Sequence, residues 1–191
     1  RHLVTGTLMV SGEAVIGKGV GGEGTLYLQG GQAASMDLIV GDATGAGRSL
    51  LSLEGTGWSV GETLQVGPLG EIRIGVVANV IGLDLASSDP FDFSIATGGV
   101  IDARFDVEAG DEPYWALRMA GDQQSLFETY LINGQLIGSG LFGDSADIWY
   151  DGAYTYYGVA VPEPGIFGLA LLPGAWLVAR RLRKNRSPVW K

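Results

Sequence analysis

An internal repeat runs through residues 6–75 and narrows the choice of folds before composition is considered. The segment Leu8-Met9-Val10-Ser11-Gly12 recurs as Leu26-Tyr27-Leu28-Gln29-Gly30 and as Leu51-Ser52-Leu53-Glu54-Gly55. A degraded copy stands at Ile72-Arg73-Ile74-Gly75, and the starts lie 18, 25 and 21 residues apart. A second element alternates with the first: Ala14-Val15-Ile16-Gly17, Leu38-Ile39-Val40-Gly41 and Leu64-Gln65-Val66-Gly67. Both elements place apolar residues at i and i+2, the period of a strand with one buried face. Glycine closes each copy, where the chain must turn sharply.

Short strands at a long, regular spacing predict a solenoid in which each period forms one coil. Leu8, Leu26, Leu51 and Ile72 are then expected to stack in one interior column, and Val10, Leu28, Leu53 and Ile74 in the next. The competing arrangement is an antiparallel meander, which calls for Asn-Gly or Asp-Gly turns. Residues 6–75 contain neither dipeptide. Composition agrees: 32 glycines, 17 % charged and 46 % apolar residues fit an all-β protein with many turns, not a disordered chain. Cysteine is absent, which removes disulfides, thiolate metal sites and cysteine nucleophiles.

Residues 83–160 lose the repeat and read as a mostly β region capping the open end of the solenoid of residues 1–82. Val100 to Val107 and Tyr114 to Met119 have strand character. Asp122 is placed to cap a short helix carrying Leu126, Phe127, Tyr130 and Leu131 on one face, with Asn133-Gly134 as its stop. The same Asn-Gly pair also suits a hairpin turn. Ile148-Trp149-Tyr150 and Ala153 to Val159 flank Asp151-Gly152, a strong hairpin signal.

Catalytic chemistry is hard to find. His2 is the sole histidine, which argues against a Ser-His-Asp triad or a histidine metal site. Gly17-Lys18-Gly19-Val20-Gly21-Gly22 matches G-x-G-x-x-G, yet it leads into a strand and offers no helix N-terminus to a pyrophosphate. Residues Gly21 to Leu26 resemble the start of a calcium-binding β-roll repeat, but Leu26 stands where an aspartate is needed. Acids cluster at Asp102, Asp106, Glu108, Asp111 and Glu112, and at Asp144, Asp147 and Asp151. Their spacing fits no defined calcium loop and reads as a solvated surface. Trp149, Tyr150, Tyr154, Tyr156 and Tyr157 suit either a sugar-stacking platform or cross-strand packing pairs. No cofactor is expected.

Charge divides the chain. Residues 1–161 hold six basic residues, Arg1, Lys18, Arg48, Arg73, Arg104 and Arg118, against twenty acids. Such a body does not bind nucleic acid by neutralising phosphates. Basic residues then gather at Arg180, Arg181, Arg183, Lys184 and Arg186, followed by Lys191. Before them, Gly165 to Ala179 form an uncharged run of 15 residues. As a helix this run spans about 22 Å, short of the ~30 Å hydrocarbon core, so the arginines must snorkel or the bilayer thin. Pro173 kinks such a helix. The anchor side chains are Gly165, Ile166, Phe167, Leu169, Leu171, Leu172, Trp176, Leu177 and Val178. The positive-inside rule keeps the arginines in the cytoplasm and residues 1–161 on the far side. A secretory signal is expected upstream of Arg1 in the precursor.

Pro162-Glu163-Pro164, the apolar run and the arginine cluster, in that order, resemble the PEP-CTERM sorting domain over residues 161–191. The resemblance implies that an exosortase, a transpeptidase-like membrane enzyme of Gram-negative bacteria, reads the Pro-Glu-Pro motif. It further implies that the inner-membrane anchor is removed and the protein passed to the cell surface or exopolysaccharide matrix. Gly6-Thr7-Leu8-Met9-Val10-Ser11-Gly12 and Gly24-Thr25-Leu26-Tyr27-Leu28-Gln29-Gly30 resemble the repeat shared by type V autotransporters and PEP-CTERM proteins. That likeness implies a right-handed parallel β-helix on an exported protein. The expectation is therefore a non-enzymatic structural or adhesive protein with exopolysaccharide as a partner. The alternative is a β-helix enzyme that binds or degrades polysaccharide, which needs carboxylates with a base or cation on one solenoid face.

Overall fold

The computed structural model describes residues 2–17, 22–41, 47–76, 82–85, 91–106 and 114–159. Arg1–Ala160 forms one compact unit. The described part is mostly β, with one short helix and a solenoid-like arrangement of about three turns. Its strands are β1 (His2–Met9), β2 (Glu13–Ile16), β3 (Gly24–Val40), β4 (Ser49–Val66), β5 (Gly70–Val76) and β6 (Leu83–Leu85). They continue with β7 (Asp92–Ile95), β8 (Val100–Phe105), β9 (Tyr114–Ala120), β10 (Leu136–Ser139), β11 (Asp147–Tyr150) and β12 (Tyr154–Val159). Helix α1 (Gln124–Ile132) lies between β9 and β10.

The pairing is parallel from β1 to β10. Long, bent β4 shows the coil geometry best. Its first third pairs with β5, its middle with β6 and its last part with β7, so three strands of one coil lie along one strand of the next. The i, i+2 pattern then stacks like on like. Leu26, Leu51, Ile72, Ile101 and Leu136 form one interior column, and Leu28, Leu53, Ile74 and Ala103 the next. From Leu51 onward every member of the first column is fully buried. The second repeat element stacks as Ala14, Leu38, Leu64 and Phe93.

One expected alignment fails. Leu8 does not stack on Leu26; it pairs with Ala33, in the column that continues through Trp58, Leu83 and Leu117. The positions opposite Leu26 and Leu28 belong to the backbone of His2 and Val4. Val10 likewise leaves the Leu28 column, its N–H donating to the carbonyl of Ala34. A two-residue alternation is shared by every strand of a coil, so Leu-x-Val alone does not say which side of the coil it occupies. Trp58 fills the space that small Ala33 leaves, and its indole N–H donates to Ser35 Oγ at 3.0 Å.

The parallel ladder does not stop where the readable repeat stops. β8 stacks on β5, β9 on β6 and β10 on β8. Only then does the geometry change: β12 pairs antiparallel with β9, and β11 with β12. Helix α1 packs at this end, with Phe127 fully buried and in edge contact with Phe93 at 6.0 Å. Its N-cap is Gln123, whose side chain makes no cap bond; Asp122, one residue earlier, accepts the Gln124 N–H on Oδ1 at 3.4 Å. The Thr155 hydroxyl accepts the Gln123 N–H at 2.7 Å and donates to the Gly121 carbonyl, holding the entry to the helix in place of a cap. The expected apolar face is narrower than the spacing implied, because Leu131 is exposed while Leu126, Phe127 and Tyr130 face the core. Asn133-Gly134 ends the helix and makes no hairpin. Gly134 sits at φ +67°, its N–H bonds the Leu131 carbonyl and the Gln135 N–H bonds that of Tyr130, which is a Schellman motif. The hairpin expected around Asp151-Gly152 is present, with Gly152-Ala153 at its tip.

Candidate functional site

Stacking brings outward side chains into rows as surely as inward ones. On β3, β4, β5, β8 and β10 one outward column reads Tyr27, Ser52, Arg73, Asp102 and Ile137. The adjacent column reads Gln29, Glu54, Gly75, Arg104 and Ser139. Together they line a polar groove of about 450 Å³ that includes Tyr27, Glu54, Arg73, Asp102, Arg104 and Ser139. Arg73 and Arg104, 31 residues apart in sequence, share this groove, which no local motif announces. The nearest signal is Ile101-Asp102-Ala103-Arg104, another inward-outward alternation that lacks a closing glycine.

The groove's charges are matched locally. Arg73 Nε lies 2.5 Å from Glu71 Oε1, and Arg104 Nε lies 2.5 Å from Asp106 Oδ2. The hydrogen bond to Glu71 raises the Arg73 pKa above its ordinary value, with partial burial opposing it and the charges of Glu71 and Asp102 adding to it. Ser139 Oγ donates to Asp102 Oδ1 at 2.6 Å. This arrangement can bind polar ligands.

A second outward face is aromatic. Trp115 and Arg118 come from β9, Tyr154 and Tyr156 from β12, and Trp149 from β11, all half-buried. Trp149 and Tyr156 are cross-strand partners and stack with centroids 5.2 Å apart and planes 12° from parallel. Trp115 meets the edge of Tyr156 at 5.9 Å. The Arg118 guanidinium lies 4.8 Å from the Trp115 ring centre and 4.7 Å from that of Tyr154. It also grips Asp84 of β6 two-handed, Nε to Oδ1 at 3.0 Å and Nη2 to Oδ2 at 2.6 Å. That hydrogen bond raises its pKa further above the ordinary value, against the effect of burial. Asp151 accepts the backbone N–H groups of Tyr154 and Ala153 and the hydroxyl of Tyr156, which hold its carboxyl below the usual range. Burial, with the Asp151 bond and charge, pushes the Tyr156 phenol up.

Of the aromatic residues singled out from sequence, Trp149, Tyr154 and Tyr156 share this face. Tyr157 does not: it points into the core, where burial, with the charge of Asp102 second, pushes its phenol up to about 12. Tyr150 is exposed beside the hairpin tip, its hydroxyl donating to the Gly152 carbonyl. Trp115, Arg118 and Asp84 lie far from the hairpin in sequence, and nothing local groups them with its aromatic residues. Asp106, Asp144, Asp147 and Asp151 are exposed and Asp102 half-buried, while Glu108, Asp111 and Glu112 lie outside the described residues. Among the described residues no group of three or more His, Cys, Asp or Glu side chains could hold a metal ion. No helix among them is long and apolar enough to cross a membrane. The sorting motif Pro162, Glu163 and Pro164, the anchor residues and the basic cluster lie outside the described residues. Comparison with protein-family models, with curated proteins and with solved structures finds no match to this chain.

Proposed function

We propose that this chain is an exported, non-enzymatic structural or adhesive protein of a Gram-negative cell surface or extracellular matrix. The observation that carries the reading is the C-terminal order of Pro162-Glu163-Pro164, uncharged run and arginine cluster. In this reading residues 165–179 form a transmembrane helix, the arginines hold it in the inner membrane, and an exosortase cuts at the motif. The two prolines cannot continue a helix or a sheet ladder, so the motif stays extended at the outer membrane–water boundary. Each arginine opposes slippage by about 2.5–3.5 kcal/mol at the bilayer centre. The stacked coils support the reading. A right-handed parallel β-helix is a stiff, repetitive spacer whose outer faces are free to vary.

The test is to express the chain with and without an exosortase and weigh the exported product. Loss of residues 165–191 only with the enzyme is expected. Glu163→Ala should preserve membrane insertion and block release; unchanged release overturns the motif reading.

The second reading, a polysaccharide-degrading enzyme, is favoured by Glu54, Arg73, Asp102 and Arg104 sharing one groove. Turnover of an acidic polysaccharide by the purified chain, abolished by Asp102→Asn, would establish it in place of the first.

A further inference from the structure

We propose that the aromatic face of β9, β12 and β11 binds an uncharged polysaccharide, with Trp149, Tyr156, Trp115 and Tyr154 as stacking surface and Arg118–Asp84 as polar guide. A pyranose in an extended, equatorially linked chain has two kinds of surface. Its ring faces are C–H groups with slight positive charge, and its rim is hydroxyls. The face of an aromatic ring is the negative part of its quadrupole and attracts the first kind. Hydroxyls, being both donors and acceptors, are met best by a guanidinium and a carboxylate side by side. Both elements are here. Three rings run across neighbouring strands, Trp115 to Tyr156 at 5.9 Å and Tyr156 to Trp149 at 5.2 Å.

Cross-strand packing explains the Trp149–Tyr156 pair but not the whole assembly. The outward column that ends in Arg118, Tyr156 and Trp149 begins with Met9, Ala34, Ser59 and Asp84, so the rings are confined to one end of it. The rings are also fixed in place. Asp151 holds the Tyr156 hydroxyl at 2.7 Å, and Arg118 is locked by Asp84. Opposite Trp115 stands Gly158, where a Cβ would come within 2.6 Å of the Trp115 Cα. A surface fixed before binding loses less entropy on binding.

Charge selects the class of glycan. Residues 1–161 carry twenty acids against six bases, and the cation at the platform is already paired with Asp84. An anionic polysaccharide is repelled by the body and, among the described residues, finds no unpaired cation at this face.

That the glycan belongs to an extracellular matrix rests on the proposed export; the platform itself does not. The full chain in detergent micelles is titrated with a β-1,4-linked glucose hexasaccharide and, separately, with an alginate oligosaccharide. Tryptophan fluorescence and calorimetry report binding. Saturable binding of the neutral hexasaccharide with a fluorescence change is expected. Trp149→Ala should weaken it about tenfold or more, and Trp149→Phe should recover part of the loss. Tyr156→Phe keeps the ring but loses the Asp151 bond that fixes it, and should weaken binding, though less than Trp149→Ala does. No saturable binding, preference for alginate, or a Trp149→Ala variant that is folded by circular dichroism and binds like the parent would overturn the proposal. A chain that binds the glycan but is never exported would overturn the export reading and leave the platform standing. An exported chain without glycan affinity would do the reverse.

Discussion

The middle coils and the C-terminal end of the described unit solve the same burial problem in opposite ways. Strands β3, β4, β5 and β8 bury their apolar residues against copies of themselves: Leu51 touches the level of Leu26 on one side and of Ile72 on the other. Beyond β9 the described residues offer no further parallel copy to stack on. It closes the core with elements that occur once: Phe127 from a helix against Phe93, and Tyr157 from an antiparallel strand against Phe105 at 6.0 Å. Repetition spreads stability over nearest neighbours, whereas a cap concentrates it in a few tertiary contacts. The cap is also where the strand direction reverses, and the reversal brings Trp149 and Tyr156 beside Arg118 on the outside. A uniform ladder repeats its outer columns; an interrupted one can build a local surface.

The largest effect that separates the two regions is expected at Trp58. Its side chain is 1 % exposed, sits between Ala33 and Leu83, and satisfies Ser35. Trp58→Ala removes a full aromatic volume that no neighbour can collapse to fill, and it strips the buried Ser35 hydroxyl of its donor. A loss of about 3–5 kcal/mol is expected from the shift of the urea midpoint. Hydrogen exchange should quicken in β3 and β6 as well as β4, because both neighbouring coils lose the contact. Faster exchange confined to β4 would mean that the coils do not share their core.

How much of this was open to sequence reading follows from what repeats. The columns through Leu26, Leu51 and Ile72 were legible because an apolar i, i+2 pair and a glycine recur together. The Leu8 copy misled because its alternation was right and its position in the coil wrong. The second element could have settled it: Leu8 lies six residues before Ala14, Leu26 twelve before Leu38. Strand β8 was legible as the strand expected at Val100 to Val107, but its place in the ladder, and β10 altogether, stayed hidden because Ala103 and Gly138 thin the apolar repeat. The hairpin and helix were visible in local turn chemistry. The pairing of Asp84 with Arg118, 34 residues apart, had no local signal at all. Half of the aromatic face was therefore read, and the half that fixes it was not.

The next effect belongs to the cap and is revealed by alkali. The Tyr157 phenol is pushed up to about 12 from an ordinary 10.0, so the folded state holds its proton more tightly than the unfolded chain. Below the ordinary value both states are protonated and stability does not depend on this group. Above it the unfolded chain ionises first, and stability falls until the folded pKa is reached. The expected fall is about 2–3 kcal/mol between about pH 10 and about pH 12. Urea unfolding across that range should be steeper in pH for the parent than for Tyr157→Phe. Equal slopes would show that the cap does not keep the ring dry.

A smaller loss is expected where the helix stops. Gly134 at φ +67° completes the Schellman motif, and its missing Cβ has open space around it. The strain of Gly134→Ala is therefore that of the backbone alone, about 1–2 kcal/mol. Exchange at the amides of Asn133 to Gln135 should quicken while the amides of β4 keep their protection. Global loss of protection would mean that the cap and the coils unfold as one.

The smallest expected effect is on the outer groove, and it sharpens the contrast between what the coils bury and what they display. Arg73 and Glu71 lie two residues apart on β5, and their side chains are 54 % and 32 % exposed. Water screens such a pair, and two long side chains lose rotamer freedom by holding it. Arg73→Gln should shift the unfolding free energy by no more than about 0.5 kcal/mol at moderate salt. Ile72, the adjacent residue facing inward, is fully buried, and Ile72→Ala should remove about 2–5 kcal/mol. The two variants, measured under the same conditions, ask whether neighbours on one strand differ at least about fourfold in their contribution. If they do, the outer columns can change without endangering the stack, as a scaffold for varied surfaces requires. If Arg73→Gln costs as much as Ile72→Ala, the ion pairs are part of what holds the coils together. The groove would then be a structural seam, and the enzyme reading would lose the residues it needs to move.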